Sequence, residues 1–456
     1  MEVISLKMIV EGVNGIIDNN IDYETIISGV SIDSRRIKAG EIFIAIKGLN
    51  MDGHDYVEAA LKNGALAVIV HRKLDVKITQ ILVEDTSVAL AQLAGYYRSM
   101  FYIPIIGVTG STGKTSTKEI IACVLSQKFN VHKTDKNYNN EIGLPLTLFK
   151  LNKKHDLAVL EMGMSNLNEI RRLAEISKPT IAVITNIGSA HIENLKSREN
   201  ILKAKMEITT FFNQKSVLII NADDEYLTNV NNKDYIIKRI SVREKGDYNA
   251  YDIINMGERG VEFKCIYNKE ICNFKLTVPG IHNVYNALLA IAIGEIFGIS
   301  SEMVKAGISE FSQVGERMNI ITLEDGITIL SDSYNANPES MKAGIDVLES
   351  YSGKRKIAVL GDMYELGNFS EAAHRNIGRY LAGRCDVLVA VGNDGFFIHE
   401  EAINSLESHY FKYKDEARVY INSIINEGDI ILIKASRGMK MENITNYLLE
   451  DRKKGN

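Results

Sequence analysis

Residues Gly107–Thr117 read GVTGSTGKTST: an apolar strand pattern runs into a glycine-rich turn, and Gly113, Lys114 and Thr115 open a helical pattern. Glycines in such a turn let backbone N–H groups approach phosphate oxygens, and a helix start adds partial positive charge. Lys114 is placed to reach the terminal phosphates and Thr115 to offer its hydroxyl to Mg²⁺, with Gly110, Ser111, Thr112, Gly113 and Ser116 completing the cradle. Strict phosphate-loop spacing asks for glycine at position 108, where Val108 stands; Gly110 lies three residues before Gly113 instead. The strand–turn–helix context is kept, so a nucleoside triphosphate is the expected ligand.

Other groups stand at the ends of apolar runs. Glu161 closes LAVLE, where an acidic strand end holds a nucleotide's Mg²⁺ directly or through water. His191 follows TIAVITNIG in the segment GSAHIEN, and Lys205 lies in ILKAKMEI. By spacing alone, His191 reads as a loop histidine and Lys205 as a solvated lysine on an amphipathic helix. Asp33-Ser34-Arg35-Arg36, with Gly53 and His54 downstream, combines groups that suit a phosphorylated or sugar-bearing ligand, and equally reads as turn residues with a solvated charge pair. HNVYNALLA, with Asn283 and Asn286, reads first as an N-capped helix start. DSYNANP, with Asp332 and Asn335, reads as a loop after a strand. Arg437 marks another strand-to-helix turn that would welcome an anion.

Strand-length apolar runs alternate with helical patterns along most of the chain, which predicts an α/β fold with parallel sheets. At roughly 150 residues per domain, 456 residues suggest about three domains. Boundaries are expected at 1–84, 85–313 and 314–456. The first block shows short strands at 41–46 and 66–70 and one helix, DYVEAALKNG. The second holds the clearest strand–helix units, and the third repeats them.

Composition excludes several classes. With 53 Lys plus Arg against 58 Asp plus Glu the net charge is −5, which argues against a nucleic-acid partner. A hydrophobic content of 45% supplies several cores and excludes dominant disorder. No apolar run is long enough to span a bilayer, and MEVISLKMIVEG shows no secretory pattern. The four cysteines form no C-x-x-C pair; reduced thiols and a cytoplasmic location are expected.

Taken in order, SIDSRRIKAGEIFIAIKG, MDGHDY, TGSTGKTST, TDKNYNNEIGLP, TNIGSAH, AKMEI, PGIHNVYNALLA, ERM, DSYNANPESM, GDMYELG and KASRGMKME resemble the Mur ligase family of ATP-dependent amide-bond-forming enzymes. The resemblance spans nearly the whole chain, and T-G-x-x-G-K-T is the family's own form of the loop. It implies a small α/β N-terminal domain, a central parallel-sheet ATPase domain and a Rossmann-like C-terminal domain. It also implies ATP and two Mg²⁺ ions, Thr115 and Glu161 holding one, His191 and a CO₂-carbamylated Lys205 helping to hold the other. Lys114, His191 and Lys205 would serve catalysis. Asn283 and Asn286 would face adenine; Arg317 and Asp332 would reach phosphate and ribose. Ser34, Arg35, Gly53 and His54 would lie along the uridine diphosphate end of the substrate, with Asn335 and Arg437 bordering the incoming amine. Within the family, DSYNANPESM is most like the member that adds D-alanyl-D-alanine to UDP-N-acetylmuramoyl-tripeptide in peptidoglycan synthesis, since the diamino-acid-adding member carries a D-Y-A-H-x-P loop there. The alternatives are that diamino-acid ligase, a folate polyglutamylating relative, or a phosphate-loop ATPase switch without ligation. A monomer acting on small molecules, without membrane insertion, is the expected state.

Overall fold

The computed structural model describes residues 1–17, 22–48, 50–243, 245–312, 318–352 and 354–454. The expected boundary at 313/314 and Arg317 lie outside the described residues.

Four β-rich runs, Ile105–Thr109, Leu157–Glu161, Ile181–Ile184 and Val217–Asn221, have every residue buried. Such runs suit a sheet covered on both faces. They form the middle of a seven-stranded parallel sheet in the order Tyr248–Asn249, Ile236–Ser241, Val217–Asn221, Ile181–Ile184, Ile105–Thr109, Leu157–Glu161, Val131–Lys133. Alternation divides the side chains. Ile106 and Val108 join a core with Ile120, Val124, Leu288 and Ile291 of the helices Lys114–Ser126 and Ile281–Ile296. Ile105 joins the opposite core with Leu93 and Leu173 of the helices Thr86–Ser99 and Glu169–Ser177. Strand order reverses at Ile105–Thr109: the next two strands in sequence lie on one side of it and the later ones on the other. That is the point where parallel sheets open a crevice for ligands.

The last block carries a six-stranded sheet in the order Asn319–Thr322, Thr328–Asp332, Ile430–Lys434, Lys356–Gly361, Val387–Val391, Glu407–Phe411, parallel except for the first pair. The first block carries a five-stranded sheet containing Glu41–Ile44 and Ala67–Val70. Asp85 caps the helix Thr86–Ser99 by accepting from the Ser87 and Val88 N–H groups.

Two expectations are corrected here. The first block has a further helix, Leu6–Val13, whose Leu6, Ile9 and Val13 are buried and whose start Ser5 caps. At eight residues it is too short for its apolar period to separate from a strand run. The second block is not wholly parallel: Tyr251–Asn255, Val261–Tyr267 and Glu270–Leu276 form an antiparallel sheet. Its core-facing positions alternate with more exposed ones, as a one-sided sheet requires. The four cysteines are free thiols, three of them buried.

Candidate active site

The strand Ile105–Thr109 ends in a turn that only glycine can make. Gly110 has φ +152, and a Cβ there would fall 1.8 Å from the Thr185 hydroxyl oxygen; Gly113 has φ +77 and precedes the first helical residue, Lys114. Lys114 Nζ folds back on the loop, donating to the Gly110 carbonyl at 2.7 Å. The loop is braced from the neighbouring strand end. Asn186 Oδ1 accepts the Thr112 N–H at 3.0 Å, Asn186 Nδ2 donates to the Thr112 hydroxyl at 2.8 Å, and Ser111 Oγ accepts the Gly188 N–H at 2.9 Å. Thr115, on the first helical turn, donates its hydroxyl to Glu161 Oε2 at 2.8 Å, while Asn139 Nδ2 donates to Glu161 Oε1 at 2.7 Å.

A cavity of about 530 Å³ opens over this loop. One wall holds Ser111, Thr112, Gly113, Lys114 and Ser116, another Asn186, Asp223, Tyr285 and Asn286, and the third block closes it with Asp332, Asn335, Glu339 and Lys434. Its lining follows the carboxyl ends of the parallel strands. A wider groove of about 1370 Å³ lies between the helices Thr86–Ser99 and Glu169–Ser177 and includes Ile103, Pro104 and Thr180, just ahead of the strand starts. The smaller cavity holds the phosphate loop and the convergent polar groups, and size does not outweigh that chemistry.

Asn283 and Asn286 are 1% and 5% exposed. The helix begins at Ile281 after Gly280, so these asparagines lie inside its first turns and do not cap it, a correction to the expected N-capped start. Asn286 Oδ1 accepts from Thr117 Oγ1 at 2.9 Å, and its Nδ2 donates to Asn283 Oδ1 at 3.1 Å, tying this helix to the one that follows the phosphate loop. Only Asn286 of the pair reaches the cavity. Asp332 is gripped by Lys434, itself 1% exposed, at 2.6 Å; Lys434 Nζ also donates to the Asn335 carbonyl at 2.9 Å.

Lys205 differs from its expectation as a solvated surface lysine: it is 2% exposed at the end of the helix Arg198–Met206. Burial, with the nearby Lys114 charge, pulls its ammonium well below the usual lysine range. His191 stands at φ +62 and pairs through Nδ1 with Glu365 of the third block. Among the described residues no three His, Cys, Asp or Glu side chains converge on one point. Thr115 and Glu161 are thus together, whereas His191 is engaged elsewhere. The oxygen donors Thr115 and Glu161 suit a hard cation such as Mg²⁺.

Three family descriptions match along the chain: "Mur ligase family, catalytic domain" over 26–98, "Mur ligase middle domain" over 108–294 and "Mur ligase, glutamate ligase domain" over 316–437. The UDP-N-acetylmuramoyl-tripeptide–D-alanyl-D-alanine ligase of Bacillus subtilis is 40% identical over 98% of both chains. The chain belongs to the Mur ligase family. The enzyme of the same name from Escherichia coli is 34% identical over 93% of this chain and 94% of its own. Among solved structures, MurF from Acinetobacter baumannii has a TM-score of 0.91 at 31% identity, covering 99% of both chains. MurF ligase from Thermotoga maritima in complex with ADP has a TM-score of 0.85 at 29% identity, covering 94% of this chain and 98% of its own.

In this Mur ligase the first-block candidates contribute nothing to the cavity. Arg35 forks onto Asp33 through two 2.9 Å hydrogen bonds at the surface, which holds the Asp33 carboxyl down at about 2. Ser34 is buried and its carbonyl accepts from Asn63 Nδ2 at 2.8 Å. Gly53 packs against the backbone of Ala45 and Ile46. His54 is turned inward, Nδ1 2.6 Å from Asp52 and Nε2 accepting the His71 N–H at 3.1 Å. Arg437 lies over the Tyr334 ring, 5.0 Å from its centroid, and Tyr334 in turn lines the cavity. Sequence reasoning missed Asn186, Asp223, Tyr285, Glu339 and Lys434. Asn186 and Lys434 could have been found as polar residues at the ends of apolar strands; Glu339 carries no such signal.

Proposed function

We infer that this chain is the Mur ligase that joins D-alanyl-D-alanine to UDP-N-acetylmuramoyl-tripeptide, using ATP and releasing ADP and phosphate. The observation that carries this is full-length identity: 40% with an enzyme of that name, over 98% of each chain. The phosphate loop and the cavity above it supply the chemistry the reading needs.

ATP's γ-phosphoryl passes to the tripeptide's terminal carboxylate, giving an acyl phosphate and ADP. The dipeptide amine attacks the acyl carbon, and the tetrahedral intermediate expels phosphate and leaves an amide. Lys114 and the amides at the helix start, Gly113–Ser116, stabilise charge on the transferring phosphoryl group. Thr115 and Glu161 would hold Mg²⁺, which when bound screens repulsion between the carboxylate and the γ-phosphate. Asn286, held from behind by Asn283, borders the base end of the nucleotide site, and Asp332, steadied by Lys434, the ribose end. Ser34, Arg35, Gly53 and His54 border the uridine nucleotide, and Asn335 with Arg437 the dipeptide.

Lys205 fits a further role. A buried, neutral amine combines with CO₂ to give a carbamate and a proton, turning a cation into an oxygen donor. We assign that carbamate, with His191, to a second Mg²⁺. For His191 this requires the contact with Glu365 to be exchanged. We place the reaction in the cytoplasm and take the enzyme to act as a monomer on domains near 1–84, 85–313 and 314–456. No described helix is long and apolar enough to cross a membrane.

The test is ADP release from purified protein. Turnover should require UDP-N-acetylmuramoyl-tripeptide and D-alanyl-D-alanine together. Turnover with UDP-N-acetylmuramoyl-dipeptide and a diamino acid instead would assign the other ligase, and turnover without either substrate would assign an ATPase switch.

A further inference from the structure

Behind the phosphate loop lies a buried ionic cluster that the mechanism above does not use. Lys118 is 1% exposed and Glu119 7%. Lys118 Nζ lies 2.8 Å from Glu119 Oε1, and Lys133 Nζ lies 2.5 Å from Glu119 Oε2. Lys133 reaches in from the surface, but Lys118 and Glu119 are a buried ion pair. Such a pair is weak evidence for stability, since apolar packing of the same volume often serves as well, so the cluster calls for a reason beyond stability. Its outward connection supplies one. Lys118 Nζ donates to the Thr134 carbonyl at 2.6 Å. Thr134 is fully buried, and its hydroxyl accepts the Glu161 N–H at 3.0 Å.

We propose that Lys118, acting through Thr134, is a positioning residue that sets the Glu161 carboxylate against the Thr115 hydroxyl and so tunes the magnesium site. The geometry closes a loop. Thr115 and Lys118 lie one turn apart on the helix Lys114–Ser126. Thr115 reaches the Glu161 side chain directly, and Lys118 reaches the Glu161 backbone through Thr134. The helix that carries the phosphate loop therefore holds the acidic strand end at two points. A carboxylate held at its backbone and at both oxygens presents one orientation, and residues that orient a ligand in this way typically change metal affinity about 10- to 100-fold when removed.

The inference rests on the reading that Glu161 holds Mg²⁺, and the experiment separates the two. Mn²⁺ binding to the full-length enzyme–ADP complex is titrated by electron paramagnetic resonance for the wild type, Glu161→Ala, Lys118→Met, Thr134→Val and Thr134→Ser. ADP affinity in EDTA is measured alongside. Lys118→Met and Thr134→Val should weaken Mn²⁺ by roughly tenfold or more, with metal-free ADP affinity kept within about twofold, and Thr134→Ser should restore binding because it returns the accepting hydroxyl. Should Lys118→Met fail to fold, the Val and Ser pair at position 134 decides alone. Wild-type Mn²⁺ affinity in Thr134→Val, with Glu161→Ala impaired, overturns the positioning role. Unchanged affinity in Glu161→Ala removes the metal reading and this proposal with it.

Discussion

At the scale of single residues, three groups carry separable expectations. In the proposed mechanism Lys114 places a charge where phosphoryl negative charge develops, so Lys114→Ala should lower kcat roughly a thousandfold with the fold retained, measured by steady-state kinetics and circular dichroism. Thr115→Ala should instead raise the Mg²⁺ concentration needed for half-maximal rate. Lys205 is buried and its ammonium is pushed down by burial and by Lys114. A guanidinium cannot form a carbamate and stays charged. Lys205→Arg should therefore lose nearly all ligation while ADP binding persists, and short carboxylic acids should restore part of the rate to Lys205→Ala. Substantial ligation by Lys205→Arg would remove the carbamate. His132 titrates with the fold. Burial depresses it to about 4 from 6.5, the neighbouring His155 charge pushing the same way, and its Nε2 lies 2.8 Å from the Thr147 carbonyl. The unfolded chain then binds the extra proton between those values, so stability is full above pH 6.5 and falls as pH drops towards 4, by up to about 1.4 kcal/mol per unit. Denaturant midpoints measured across that window should flatten in His132→Gln.

At the scale of elements, the site depends on how helices begin. Lys114–Ser126 begins after a left-handed glycine and leaves its first N–H groups for phosphate. Pro338–Ser350 begins in the opposite manner, fully capped. Asn337 Oδ1 accepts the Ser340 N–H at 2.9 Å, Ser340 Oγ accepts the Asn337 N–H at 3.0 Å, and proline occupies the first turn. The contrast has a use: the capped helix presents Glu339 across the cavity, where its carboxylate accepts the Ser189 N–H at 3.0 Å and the Ser189 hydroxyl at 3.1 Å. Asn337→Ala should cost about 1 kcal/mol in denaturant unfolding. It should also raise the KM for ATP, because Glu339, in the turn that Asn337 caps, loses its placement across the cavity. An unchanged KM would separate the cap from the site.

At the scale of the whole molecule, several contacts between the central and third blocks lie beside the candidate site. Glu339 touches Ser189, Glu365 pairs with His191, and the Glu193 N–H donates to the Glu365 carbonyl at 3.2 Å. Asp332 and Lys434 line the same cavity as the phosphate loop, an arrangement that would keep water from an acyl phosphate. Arg35 lies in the turn after the strand Gly29–Ser31 of the first block and Arg437 over Tyr334 of the third, so their substitutions should separate the substrate ends. Arg35→Ala should raise the KM for the uridine nucleotide substrate several-fold and leave that for the dipeptide. Arg437→Ala should do the reverse. Equal effects on both substrates would show that the ends are misassigned or that closure couples them.

What the sequence determined by itself was local. A strand, a glycine turn and Gly-Lys-Thr specify the cradle because period, positive φ and helix start are properties of neighbouring residues. The proline and asparagine before Pro338–Ser350 specify its start for the same reason. The ordered motifs carried the family, and with it residues such as Asp332 whose roles no spacing reveals. The rest was decided by packing. Lys434 finds Asp332 because the strands Thr328–Asp332 and Ile430–Lys434 pair in parallel with those two residues in register. Asn286 finds Thr117 because two helices far apart in sequence share one face of the central sheet. Lys205 reads as a surface lysine from its own helix and becomes a buried amine only when surrounding elements take its water away. Burial and partner identity depend on which elements become neighbours, and charge state follows from both.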